Sequence, residues 1–404
     1  MALYSDQRLV DPQRDYANHY CETIAQDMKE IRFLESTDNL QRVLREAIGR
    51  APNVETARQI SSCLQQGRLF FEAASGSAPE IRPLLLSYGT IAFSRALVVS
   101  RTLTNLERLP HKHGLRDVSL ENASIKDLRI AILNEGTFQK AVDTARDVER
   151  LSLLENTKTI WLRTRSCSAA ELEDKEMSLT DILSRIPGLS RTYRETFSSE
   201  PNVIQSQIFQ RLNSSIYDLR IDVPAAAAPA EVQILEVVNA LRTRFPFLNL
   251  LNFSEAWFAW DHIGINFDNA FPGGQYPAVP ADLQQQDGHF RPSYQRPDGE
   301  VAPVPLDTVL PASHGGLQKS FPAFTTPIHN VYLSEFALYY LGTYLLGSLV
   351  RYRPQIWVHA LYGHYTQTRG RDDTALSLIE SFLDLVGSNV PSWCASAIRA
   401  PAMG

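Results

Sequence analysis

The sequence predicts a mainly α protein: a helical bundle interrupted by a large inserted α+β region and a long Pro/Gly-rich loop. Three observations carry that expectation. Arg82 to Leu115 runs apolar, with Leu85, Tyr88, Gly89, Ala92, Ala96 and Val99 recurring at three- and four-residue steps, the spacing of a helix packed on more than one side. Phe336 to Val350 is a second apolar helix, shorter than the roughly 20 residues needed to span a bilayer and bracketed by Glu335 and Arg351, so it reads as core. Phe267 to Pro327 is dense in Pro, Gly and Gln. Structureless segments of that length are uncommon in compact domains unless they are functional, disordered or a small β-excursion.

In chain order, residues 16–49 give one or two helices, with stripes at Tyr20, Ile24, Met28, Ile31, Leu34 and at Leu40, Val43, Leu44, Ile48, separated by cap residues from Ser36. Pro52-Asn53 opens another helix, which the Gly76–Pro79 turn ends; with the Arg82 helix it makes an antiparallel hairpin. Lys126–Leu133 alternates as a strand, Phe138–Leu154 reads as helix, and Thr159–Thr164 and Ile216–Ile221 read as further short strands. Residues 169–198 read as helix broken at Pro187-Gly188. Pro224 to Pro229 is an alanine-rich link before a helix at Glu231–Arg244, and helices at 331–352, 354–365 and 373–386 complete the chain. Four units follow: 1–115, an N-terminal helical region with the hairpin; 116–223, a small α+β region; 224–330, linker, helix and Pro/Gly-rich segment; and 331–404, C-terminal helices that complete the bundle.

Composition excludes more than it selects. A chain of 404 residues with 44% hydrophobic and 21% charged residues has ample material for buried cores. The net charge of −6 gives no global field toward nucleic acid or anionic lipid, so such contacts would need a local patch. Cys21, Cys63, Cys167 and Cys394 form no CxxC pair, which argues for buried reduced thiols over a zinc ribbon or disulfide framework. MALYSDQRLVDPQRD has no apolar core of a signal peptide, and a cytosolic protein without membrane association is expected. Phosphate-loop, dinucleotide, zinc-protease and hydrolase-elbow motifs are missing from the sequence.

Two Arg/His stretches could act on a phosphodiester, with His as acid or base and Arg steadying phosphate charge. In Arg108-Leu-Pro-His111-Lys-His113-Gly114 the alternative is an ordinary cationic helix C-terminal turn closed by glycine. In Arg351-Tyr-Arg353-Pro-Gln-Ile-Trp-Val-His359 the alternative is a polar cap after an apolar helix, with Trp357 in the core. Asp261-His262, beside Trp257 and Trp260, could be a polar site in an aromatic wall or hold a satisfied buried histidine. The Cys/His spacing suggests no metal site, and no cofactor is expected.

RPLLLSYGTIAFSRALVVSR with HKHGL, together with IRFLESTDNLQRVL, LNEGTF and SLVRYRPQIW, resembles the YaaC-like family of bacterial proteins over most of the chain. More loosely, the paired helices with Tyr88, Ala92, Ala96 and His113-Gly114-Leu115 resemble HEPN domains, four-helix bundles that include metal-independent ribonucleases and non-catalytic binding members. That second resemblance implies a bundle of helices near 54–75, 80–107, 331–352 and 373–387. It also implies an Arg-x4–6-His motif, met by Arg353 with His359 and, in reserve, by Arg108 with His113. The expected function is a cytosolic binding or interaction subunit of a bacterial defence or stress system, working with a protein partner or as a homodimer. The second expectation is an HEPN-like metal-independent endoribonuclease using Arg353 and His359. The third is RNA or DNA binding without cleavage, through Arg351, Arg353, Arg369 and Arg371.

Overall fold

A computed structural model describes residues 28–121, 123–155, 158–211, 214–224, 231–259, 261–270, 283–292, 303–312, 322–362 and 374–401. Tyr20, Cys21, Ile24, the alanine-rich link beyond Pro224, Trp260, Arg369, Arg371 and most of the Pro/Gly-rich segment lie outside these residues.

The helical half begins with α1 (28–34), α2 (Thr37–Ile48), α3 (Val54–Ser75) and α4 (Arg82–Thr102). Their starts are written in the sequence: Ser36 accepts from Asn39 N, and Asn53 Oδ1 accepts from Thr56 N at 2.7 Å, satisfying donors that a helix start leaves free. α3 and α4 form the hairpin, and α4 packs in turn against α5 (Thr137–Val148), α10 (Glu335–Tyr352) and α12 (Thr374–Arg399). By length and hydropathy α4 could cross a membrane, but 78% of its apolar window is buried inside the fold. The glycines set the helix spacing: a Cβ on Gly89 would lie 2.4 Å from the Phe71 ring and 3.2 Å from Gly67 O.

The expectation of a mainly α fold is wrong. Thirteen strands run through four antiparallel sheets among the described residues, and the protein is an α+β mix. One sheet orders β1 (Leu115–Asp117), β2 (Arg129–Ile132) and β5 (Glu176–Ser178), and packs against α10. β3 (Arg150–Glu155) pairs with β4 (Lys158–Arg163). After α6 (Leu179–Leu183) and α7 (Ser190–Phe197) comes β6 (Val203–Gln205), which pairs with β13 (Ala323–Thr325). The largest sheet has the order β11-β12-β9-β10-β8-β7. Its strands are β7 (Gln207–Gln210), β8 (Tyr217–Pro224), β9 (Asn252–Ala259), β10 (His262–Asp268), β11 (Leu283–Gln286) and β12 (His289–Pro292). α8 (Glu231–Arg244) and α9 (Leu306–Val309) cover it, while α11 (Pro354–Tyr362) follows α10.

Three misreadings explain the error. The helix expected over Phe138–Leu154 ends at Val148, because Glu149 turns extended (φ −70°, ψ 129°) and the chain continues as β3. β9 and β10 alternate inward Phe253 and Ala256 with Ile263, Ile265 and Phe267, and no strand was expected there. The Pro/Gly-rich segment contributes β11, β12, α9 and β13. In the other direction, α12 runs past its expected end at Val386 through Pro391, because Val390, Cys394 and Ile398 remain buried and packing overrides the breaker.

Two hydrophobic cores result. One joins the helices to β1, β2, β5, α6 and α7, and the other fills the space between the six-stranded sheet, α8 and α9.

Candidate functional site

α4 and α10 run antiparallel at close range. A Cβ on Gly347 would lie 2.8 Å from Ser87 Cβ and 3.2 Å from Pro83 O. That contact leaves one face of α10 opposite α4, and the face carries Tyr340, Tyr344, Gly347 and Arg351 at helical spacing. α4 answers with Tyr88 and Arg95, two turns apart. Arg351 Nη1 donates to Tyr88 Oη at 2.7 Å, and its guanidinium also lies 4.8 Å from the Tyr352 ring centroid.

The 110–114 turn closes the third side. α4 stops at Thr102, where Leu103 takes φ 52°, so the histidines do not form its C-terminal turn. Their backbone instead caps α5, whose start has no side-chain cap. Thr137 N donates to Lys112 O at 2.9 Å and Phe138 N to His113 O at 3.1 Å, while Gln139 Nε2 donates to Gly114 O at 3.0 Å. Gly114 has φ 78°, and its backbone approaches Gly136 too closely for a side chain there. So held, the His113 ring lies 5.4 Å from that of Tyr344, whose hydroxyl donates to Leu115 O at 3.0 Å.

The electrostatics around the 110–114 turn are unbalanced. Burial, then the charges of Arg95 and Arg351, hold His113 below the usual imidazole range. Burial pushes the Tyr340 phenol up, against the nearby Arg95 charge. His113 Nδ1 and Tyr340 Oη are both buried without a hydrogen-bond partner. Arg95, half-buried, forms no ion pair or hydrogen bond among the described residues. Among the described residues no carboxylate is bonded to Arg95, Arg351, His113 or Tyr340.

Arg353 behaves differently. It is the C-cap of α10, donating Nη1 to Asp117 Oδ2 at 2.9 Å and to Ser119 O at 2.6 Å. Asp117 Oδ1 in turn accepts from Ser119 N, so the charge of Arg353 is spent on joining α10 to the 115–119 segment. His359 is half-buried on α11, beside Trp357, which is core and donates Nε1 to Glu80 O at 2.9 Å. Arg108 is exposed on a short 3-10 turn, and it is Arg95 and Arg351 whose charges reach His113. Arg351 and His113 share neighbours rather than a bond, Arg351 held on Tyr88 and His113 beside Tyr344, while Arg369 and Arg371 lie outside the described residues. Asp261 and His262 lie at the β9–β10 turn, 3.2 Å apart. Arg95, Tyr340 and Tyr344 were missed. The spacing of 340, 344, 347 and 351 was the available signal on α10, and Arg95 had none, being one cation in an apolar helix.

A recess of about 410 Å³ lies on the six-stranded sheet, lined by Arg211, Asp218, Ser254, Glu255 and Arg291. Its charges are already matched: Arg211 binds Asp218 and Asp268, and Arg291 binds Glu255. Among the described residues no group of three His, Cys, Asp or Glu side chains is placed to hold a metal ion.

No curated protein and no solved structure matches the chain. The family model described as YaaC-like Protein matches residues 32–246 and 307–398, and the chain belongs to the YaaC-like family.

Proposed function

We propose that this YaaC-like protein is a cytosolic binding subunit of a bacterial defence or stress system, with no chemistry of its own, docking a protein partner or a second copy of itself. The observation that supports this most is the Arg353 clamp. An arginine engaged by a carboxylate and a backbone carbonyl is a construction element, and using it to stabilise a transition state would mean releasing Asp117. The clamped segments carry side chains that a monomer has no reason to expose: Leu120 is 76%, Tyr352 66% and Val358 46% exposed. The test is sedimentation of the protein, alone and in native extract, beside a Leu120→Glu, Tyr352→Glu variant. The wild type is expected to dimerise or to co-sediment with a stoichiometric partner, and the variant to do neither. A wild type that stays monomeric and alone overturns the reading.

A second reading, metal-independent RNA cleavage, draws on one observation: a neutral-biased His113 lies within reach of two arginine charges. Here His113, rather than His359, would be the base, and Arg351 and Arg95 would steady the phosphate. Cleavage of an RNA pool in excess EDTA, lost in His113→Gln, is the expected outcome. Equal cleavage by His113→Gln, or none by either protein, removes it.

A further inference from the structure

We infer that the recess on the six-stranded sheet binds a neutral sugar, with Arg291 donating to its hydroxyls and Glu255, Asp218 and Ser254 accepting from them. This goes beyond the docking reading above and does not rest on it.

Two irregularities of the sheet open this recess. Along β9 and β10, Glu255 faces Asn266 and Phe253 faces Phe267, so Ser254 is the extra residue of a bulge. A bulge bends its strand and re-aims the side chains around it. On the other flank, β12 is in register with β9 at His289 and Phe290, yet stays paired with β11 as far as Pro292. The two strands part where the bulge begins. The resulting gap of about 410 Å³ is lined there by Ser254, Glu255, Arg291 and Pro292, and reaches Phe253 of the second core. That volume falls among small-molecule sites, roughly 300–1,000 Å³.

The lining side chains are held in place by one another. Arg211 grips both oxygens of Asp218, at 2.9 and 2.6 Å, and reaches Asp268 at 2.8 Å. Glu255 accepts from Arg291 Nε on one oxygen and from Asn266 Nδ2 on the other, each at 3.2 Å. Groups fixed beforehand bind a ligand at a smaller ordering cost. Their charges also select the ligand. An anion entering the gap meets Asp218 and Glu255, and a cation meets Arg211 and Arg291. A hydroxyl suits both kinds of neighbour, because one oxygen donates one hydrogen bond and accepts two. Among the described residues Arg291 spends only Nε, which leaves its terminal nitrogens as donors beside the carboxylates and the Ser254 hydroxyl. Phe253 and Pro292 add apolar surface to this polar lining. A ring with C–H faces and a rim of hydroxyls matches both, and that is the constitution of a sugar.

Saturation-transfer NMR of the full chain with glucose, galactose, mannose, N-acetylglucosamine, maltose and cellobiose tests the site, followed by calorimetry with the strongest of them. Glycine, a zwitterion, and inorganic phosphate are the charged controls. Saturable binding of at least one sugar is expected, with a Kd that stays level between about 0.05 and 0.5 M sodium chloride, since the ligand carries no charge to screen. Arg291→Gln removes the guanidinium donors from a side chain that is 54% exposed, and Glu255→Gln turns one acceptor into a donor at constant shape. Each is expected to weaken binding about tenfold and to melt close to the wild type, because the Arg291–Glu255 pair is partly solvated. No saturation by any of the six sugars, tighter binding of glycine or phosphate, a steep salt dependence, or undiminished binding by both variants overturns the inference. Sedimentation of the Leu120/Tyr352 variant uses no sugar, so failure of the docking reading is seen separately.

Discussion

Removing the Arg353 guanidinium leaves the Asp117 carboxylate, whose side chain is only 7% exposed, facing a helix end with no cation. Breaking such a pair by deleting one member costs about 3 kcal/mol, because the surviving charge stays buried. Arg353→Ala should lower the urea midpoint accordingly, and Arg353→Lys should recover part, since an ammonium has donors for both Asp117 and Ser119 O but sits on a shorter side chain without the planar fork. Glu149 makes the opposite use of burial. Its backbone N–H closes α5 on Ala145 O, its carboxyl is buried with Oε2 lacking a partner, and burial pushes it up to about 8 from an ordinary 4.5, with Ser334 and Ser166 opposing and Glu335 adding. The folded state thus holds a proton that the unfolded chain releases, so this contribution is complete below 4.5 and is lost as pH rises toward 8. The loss runs at about 1.4 kcal/mol per pH unit across that window. Glu149→Gln should therefore flatten the decline, and its melting temperature should gain on the wild type most at pH values near or above 8.

At the scale of elements, glycine separates contact from open space. Gly89→Ala drives a methyl into Phe71 and toward Gly67 O, and should cost about 1–3 kcal/mol by thermal melting. Gly76→Ala, with φ −105° and nothing within 4 Å of the new methyl, should leave the melting temperature unchanged or slightly higher. The same scale shows what could be read from the residues. α3, α4, α8 and α10 carry their own stripes, and α3 and α10 their own caps, so they were legible. The strands hold 3 to 8 residues, and several are fixed by neighbours far along the chain, as β6 is by β13, which local alternation cannot reveal. β3 was hidden because Leu151 and Leu154 continue the apolar rhythm of α5 beyond Glu149, where the backbone has already turned extended. The site was legible in part. His113 and Arg351 each stood out as cations in unusual company, but 238 positions separate them, and the partners that hold them, Tyr344 for His113 and Tyr88 for Arg351, come from packing that no local pattern shows.

Across the whole molecule, the two cores meet at a seam that Arg185 organises. Its buried guanidinium donates to Thr326 O at 2.9 Å, Pro327 O at 3.1 Å and Asp181 O at 2.8 Å, tying α6 to the segment after β13. Three carbonyls lose their donor in Arg185→Leu. That variant should uncouple the cores, so that calorimetry shows two transitions where the wild type shows one, and hydrogen exchange should speed up first in β6 and β13. A single unchanged transition would place the coupling elsewhere. The same doorway has a wider consequence. The chain leaves the helical half through β6 and returns through β13, and Val203 to Gln205 are paired residue for residue with Thr325 to Ala323. Departure and return are thus one strand spacing apart, about 5 Å. The doorway is braced from the side, because the β3–β4 hairpin lends Leu151 and Leu162 to the second core and Arg165 bridges to Pro311, so a change in the sheet is felt in the segment that leads from α5 to α6.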